Sequence, residues 1–194
     1  MANLLNADII NRKSFVFIIT LPDNYEKNDS YFEVNKNWFQ QAGILFGEYY
    51  VVDHRVSKEH AKSLIENASV VFLSGGDTFS QNNFLIEYDL KGAIKNCNGV
   101  IMGLSAGAMN MAEKVLSSPS VYDGVGMDDI TISPHFTKDN REWIENVLFP
   151  QSKNMSIYAL CDNSAIRVMN NTVQFLGEIY VVSNVSISRV ESSS

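Results

Sequence analysis

Short, continuously apolar runs alternating with helical patterns constrain this chain most. Phe15-Val16-Phe17-Ile18-Ile19, Ser69-Val70-Val71-Phe72-Leu73 and Gly99-Val100-Ile101-Met102 have the length of strands. A strand that is apolar at nearly every position is buried on both faces, as in a parallel sheet covered by helices. The intervening patterns supply the helices. Ser30 and Glu33 form a capping-box pattern, and Gly43 ends the same segment. A second strand lies within residues 44–52. Ser57 caps a helix through about Asn67, and a helical region broken near Gly92 runs to about Lys95. Ser105 opens the next helix. This βαβα order predicts an α/β fold, a three-layer α/β/α sandwich with a mostly parallel sheet. Beyond about residue 150 the runs shorten. Residues 165–168, 173–176 and 179–182 predict antiparallel strands near the C-terminus.

The whole 194-residue length fits one domain over residues 1–190, with a disordered tail at 191–194. No run approaches the roughly 18 apolar residues of a membrane span. The first residues lack the basic start and apolar core of a signal peptide. Cys97 and Cys161 stand outside any paired motif, so reduced thiols and a cytoplasmic location are expected. The net charge of -7 argues against nucleic acid as a partner. No membrane partner is expected, and the chain is expected to be a monomer or homodimer. No cofactor is expected. No histidine has metal-ligand spacing, so no metal is expected either.

The chemistry concentrates at Gly103-Leu104-Ser105-Ala106-Gly107. A serine on a tight turn between a buried strand and a helix is pushed clear of the backbone. Small neighbours let the turn close and substrate approach. The N–H groups at the helix start, Ala106 among them, can stabilise an oxyanion. The plainer reading makes Ser105 an N-cap. Ser74-Gly75-Gly76-Asp77-Thr78 also ends a buried strand, the edge at which open parallel sheets bind ligands. Its glycines let backbone N–H groups face a ligand, which makes Gly76 the candidate second oxyanion donor. Asp77 or Thr78 caps the following helix.

Of the three histidines, His60 belongs to a charged helix and His54 to a loop beside Arg55. His135 follows a short strand and Pro134, at a strand end, and is the candidate base. Asp139 and Glu142 fit a capping box for a helix over 140–148. Arg141 then falls in the first turn, where a cation opposes the helix dipole. Such local conflicts mark functional positions, and a guanidinium there can pair with a substrate carboxylate.

Together these stretches resemble the peptidase E family of serine peptidases, which includes aspartyl dipeptidases and, more distantly, cyanophycinases. The matches are Ser74-Gly75-Gly76-Asp77-Thr78-Phe79, Gly103-Leu104-Ser105-Ala106-Gly107-Ala108, Ser133-Pro134-His135-Phe136-Thr137 and, more weakly, Asn140-Arg141-Glu142. The resemblance covers roughly residues 14–180. It implies a flavodoxin-like sheet related to class I glutamine amidotransferase domains, with a small peptide as the partner, Ser105 as nucleophile and His135 as base. Arg141 falls where the dipeptidases hold the side-chain carboxylate of an N-terminal aspartate. The family usually opens on a hydrophobic strand, whereas this sequence opens on a helix-like segment at 4–11, so a core strand is expected to be missing. The segment between His135 and Arg141 is shorter than in the dipeptidases. The third triad member is shifted, since simple spacing from the nucleophile lands on Ser120. Asp123 is the choice, with Asp128 and Asp129 behind it. Asp162 is an outside candidate, or a contact for the substrate amine, and Asp77 is a further substrate-binding candidate. A Ser-His dyad is the remaining form of the site. The competing functions are an esterase and a binding module of the amidotransferase type that has lost catalysis.

Overall fold

A computed structural model describes residues 2–117 and 120–191. The chain forms two compact units, Met1–Asn110 and Met111–Ser194. Within the first, the elements run α1 (Ala2–Asp8), β1 (Ser14–Ile18), α2 (Tyr25–Gln41), β2 (Glu48–Val52), α3 (Lys58–Glu66), β3 (Val70–Leu73), α4 (Thr78–Glu87), α5 (Lys91–Asn96), β4 (Val100–Gly103) and α6 (Ala106–Met111). The four strands are parallel and ordered β2-β1-β3-β4. Strands β1 and β3 are buried at every residue, as their continuous apolar runs require, whereas β4, last in the strand order, is only half-buried despite its apolar run. The chain leaves β1 in one direction to reach β2, then crosses back to β3. Right-handed crossovers therefore put α2 on one face and α3 to α5 on the other. The α2 face is aromatic. Phe32 and Phe39 of α2 pack against Phe15, Phe17 and Phe72 of the sheet. Phe17 and Phe72 are neighbours in register and stack at 5.7 Å.

Two boundaries differ from the sequence expectation. Helix α2 begins at Tyr25 with Asn24 as its N-cap, so Ser30 and Glu33 lie inside it. The buried Asn28 side chain donates to the Leu21 carbonyl oxygen (3.0 Å) and to Asp53 Oδ2 (3.3 Å). Those two bonds tie the extra first turn to the β1–α2 loop and to the residue after β2. The helix ends as expected at Gly43: the Ile44 N–H donates to the Phe39 carbonyl and the Gly43 N–H to the Gln40 carbonyl. The break between α4 and α5 is at Asp89, whose φ is 52°, and Gly92 lies within α5.

The second unit holds β5 (Lys114–Ser117), β6 (Ser120–Asp123), β7 (Thr131–Ser133), α7 (Arg141–Trp143), a π-helical turn (Ile144–Leu148), α8 (Phe149–Gln151), β8 (Ile157–Leu160), β9 (Ala165–Met169), β10 (Thr172–Leu176), β11 (Ile179–Ser183) and β12 (Ser186–Arg189). One sheet is ordered β12-β11-β8-β7, with β7 and β8 parallel and the rest antiparallel. Two hairpins, β5-β6 and β9-β10, stand beside it as separate ladders. The short antiparallel strands near the C-terminus are thus present. Of the expected tail, residues 192–194 lie outside the described residues, as do Ser118 and Pro119. No helix among the described residues is long and apolar enough to cross a membrane.

Candidate active site

Ser105 follows β4 after Leu104, and its backbone is left-handed, with φ of 49°. A non-glycine residue there is strained, and the surroundings must enforce it. They do. The Leu104 N–H donates to the Leu73 carbonyl (3.0 Å), the Gly107 N–H to the Leu104 carbonyl (2.9 Å) and the Met109 N–H to the Ser105 carbonyl (3.0 Å). Helix α6 therefore starts one residue after the serine and presses onto β3. A Cβ on Gly107 would overlap the Leu73 carbonyl oxygen, so only glycine allows that approach. Ala106 is the first helical residue, where the N–H has no acceptor within the helix. The half-buried Ser105 side chain is lifted out of the turn by this geometry.

The Gly75-Gly76 turn follows β3, the strand beside β4. A Cβ on Gly75 would lie 3.6 Å from the Ser105 Cβ, which puts this turn against the serine. Gly76 has φ of 136°, and a Cβ there would lie 2.5 Å from Thr20 Oγ1. Both its conformation and its space exclude any other residue. Among the described residues, no backbone hydrogen bond uses the N–H of Gly75 or Gly76. Asp77 caps α4: its carboxylate accepts from the Ser80 N–H at 2.6 Å. Its bonds to Ser80 hold its pKa below the ordinary carboxylate range.

In the second unit His135 follows β7 and Asp162 follows β8. Both therefore lie beyond the carboxyl ends of two paired parallel strands. His135 also has a left-handed backbone, φ 55°. Phe136 behind it is buried, and its N–H donates to the Leu160 carbonyl at 2.8 Å. His135 Nδ1 lies 2.8 Å from Asp162 Oδ1. A carboxylate only accepts, so this contact keeps the proton on Nδ1 and leaves Nε2 as the basic nitrogen. Asp123 accepts from Lys114 Nζ at 2.6 Å across the β5-β6 hairpin. The carboxylate beside His135 is thus Asp162, which had been the outside candidate, and the hairpin's own register holds Asp123 opposite Lys114. Asp128 and Asp129 fall in the loop after β6, where the Asp129 N–H donates to Asp128 Oδ1. The signal for Asp162 was present in the sequence as a strand followed by a polar turn. What was invisible was that its strand pairs with the one before His135.

Arg141 is in the first turn of α7 and exposed. The cap of α7 is Asn140, which accepts from the Trp143 N–H at 3.2 Å, rather than Asp139. The Asp139 carbonyl instead accepts from the Arg141 N–H. Trp143 Nε1 donates to Ser133 Oγ at 3.1 Å, which ties α7 to the strand that ends at His135. Cys161, next to Asp162, is a free thiol. Burial, with Glu178 and Asp162 nearby, pushes its pKa up and keeps it protonated. His60 is exposed on α3. His54 contacts Asp23 Oδ1 (2.6 Å) and Glu87 Oε2 (3.3 Å). Among the described residues no group of three or more His, Cys, Asp or Glu is placed to hold a metal ion.

Residues 3–176 match the model of peptidase family S51. The chain belongs to peptidase family S51. That membership makes it a peptidase, a hydrolase of peptide bonds. Peptidase E of Actinobacillus pleuropneumoniae serotype 5b (strain L20) is 25% identical over 168 residues, 77% of this chain and 69% of that protein. Peptidase E of Haemophilus influenzae (strain PittGG) is 25% identical over 156 residues, 71% of this chain and 66% of that protein. Among solved structures, a peptidase from an acI-B1 Actinobacterium superposes with a TM-score of 0.75 at 19% identity, over 100% of this chain and 87% of that one. The S51 chain thus shares its α/β fold with a peptidase of very different sequence.

Proposed function

We propose that this S51 peptidase is a serine-type dipeptidase that cleaves after an N-terminal aspartate. The observation that carries the reading is the left-handed Ser105, forced by the packing of Gly107 on Leu73. Strain held at a serine on the carboxyl edge of a parallel sheet is what a nucleophile on a turn requires. Ser105 Oγ attacks the peptide carbonyl carbon while His135 Nε2 accepts its proton. The oxyanion that forms is held by the Ala106 N–H and a donor from the Gly75-Gly76 turn. Its collapse breaks the C–N bond, and His135 returns the proton to the departing amine. Water, deprotonated by His135, then cleaves the acyl ester and restores Ser105. Asp162, in contact with His135 Nδ1, takes the orienting role in place of Asp123 and keeps His135 in the useful tautomer. Arg141 binds the side-chain carboxylate of the substrate aspartate. Asp77 serves the site by starting α4 behind the glycine turn. Residues 1–190 serve as the catalytic domain, in the cytoplasm, without a cofactor.

The test is hydrolysis of a panel of Asp-Xaa and Ala-Xaa dipeptides, with p-nitrophenyl acetate as an ester control. Ser105→Ala should abolish turnover, and full activity in that variant rejects the nucleophile. Arg141→Ala should lower kcat/KM for Asp-Xaa by about 10- to 100-fold, the worth of a charge-assisted pair, and leave Ala-Xaa unchanged. An unaltered preference for aspartate rejects its role. Asp162→Asn should cost far more activity than Asp123→Asn, and the reverse order returns the orienting role to Asp123.

A further inference from the structure

Beneath the glycine turn, the first unit contains a chain of buried side-chain amides that the mechanism above does not use. Gln81 and Asn110 are fully buried, and Asn82 nearly so. Lys91 Nζ donates to Asn82 Oδ1 (3.4 Å), and Asn82 Nδ2 to Asn110 Oδ1 (3.1 Å). Asn110 Nδ2 donates to Gln81 Oε1 (3.0 Å) and to the Thr78 carbonyl (3.0 Å). Gln81 Nε2 then donates to the Ser74 carbonyl (3.1 Å) and, at 3.4 Å, to the Ile19 carbonyl. Every amide donates in the same sense, from the ammonium toward Ser74. Dipoles aligned head to tail polarise one another, which strengthens the last bond. Burial of three amides is costly unless their groups are paired, so the core pays here for a defined geometry.

The endpoint is informative. In a trans peptide the C=O and N–H point in opposite directions. Gln81 holds the Ser74 carbonyl toward the core, so the Gly75 N–H of the same peptide points away from the amides. Gly75 lies against Ser105, and no backbone bond uses its N–H among the described residues. A two-glycine turn is free to flip this peptide, which would aim a carbonyl oxygen where an oxyanion donor is needed. The same chain reaches α6 through Asn110, so one network contacts both the turn and the helix that starts after Ser105. We propose that Gln81, backed by Asn110 and Asn82, is a positioning residue that locks the Ser74–Gly75 peptide with its N–H turned outward as a preset oxyanion donor. This rests on Ser105 being the nucleophile of the proposed dipeptidase.

Gln81→Met removes the donor at nearly constant size. Loss of a preset donor costs about 10²–10³-fold in kcat. The expected result is a folded Gln81→Met variant with kcat on Asp-Xaa lower by about 10²-fold and KM within about threefold. Its Ser105 should react with a fluorophosphonate more slowly by a similar factor, because that reaction also builds an oxyanion. In Gln81→Glu a protonated carboxyl can still donate to Ser74, and an ionised one cannot. Its kcat relative to wild type should therefore rise as pH falls from about 9 to about 6. A folded Gln81→Met that keeps wild-type kcat and labelling rate overturns the proposal. So does a flat pH ratio in Gln81→Glu, which decides the matter if the methionine variant fails to fold. Wild-type enzyme that labels at Ser105 while both variants match it overturns this role alone. Ser105→Ala that retains turnover, or labelling that spares Ser105, rejects the nucleophile and this role with it.

Discussion

Ser105, His135 and Gly76 share one property: each holds a backbone conformation with positive φ. For the serine and the histidine that conformation costs roughly 1–3 kcal/mol, and it persists because neighbouring contacts leave no alternative. Gly107 shows how tight those contacts are. A methyl group there would meet the Leu73 carbonyl, so α6 would have to retreat from β3. Gly107→Ala should destabilise the chain by about 1–3 kcal/mol and relax the serine turn. Thermal unfolding together with fluorophosphonate labelling of Ser105 would register both effects, and an unchanged melting temperature would count against the packing argument. At this scale the glycine and serine positions were legible in the sequence, since a G-x-S-x-G pattern between an apolar run and a helical pattern leaves few alternatives. The partner of His135 was not. Asp162 and His135 are 27 residues apart, across a helical crossover, and meet only because the parallel strands β7 and β8 pair.

The elements show where local signals lose to tertiary ones. Ser30 and Glu33 look like a helix start, but the buried Asn28 ties an earlier turn to Leu21 and Asp53, and the helix begins at Tyr25. His54 joins three elements in a similar way. It reaches Asp23 in the β1–α2 loop and Glu87 at the end of α4, and its ring stacks on Tyr88 at 5.5 Å. Lys58 lies over Tyr88, and Arg55 is engaged with Asp53 and Asp29 nearby. The bond to Asp23 is the main reason that His54 titrates above the ordinary histidine value, with Glu87 adding to it and burial opposing it. A raised folded pKa favours the charged form in the native state. Its stabilisation is fully present below the unfolded value of about 6.5 and is lost as pH rises through the folded value. A melting series on wild type and His54→Gln should therefore diverge most near pH 5–6 and converge at about pH 9 and above. A constant difference across that range would mean that packing, not charge, gives His54 its weight.

For the whole molecule, the first unit's stability rests on the aromatic face of its parallel sheet. Phe17 is fully buried between Phe32 and Phe72. Phe17→Ala should cost about 3–5 kcal/mol, read by denaturant unfolding, because the close-packed rings cannot collapse into the void. The parallel sheet, its doubly buried strands and the serine turn followed from the sequence alone. Continuous apolar runs, small residues and helix signals are local facts, and local sterics and burial act on them directly. The division into two compact units, the contact of His135 with Asp162 and the amide chain under Gly75 came only from the tertiary structure. Each depends on which distant strands pair and which polar groups are buried together, and no stretch of sequence carries that information by itself.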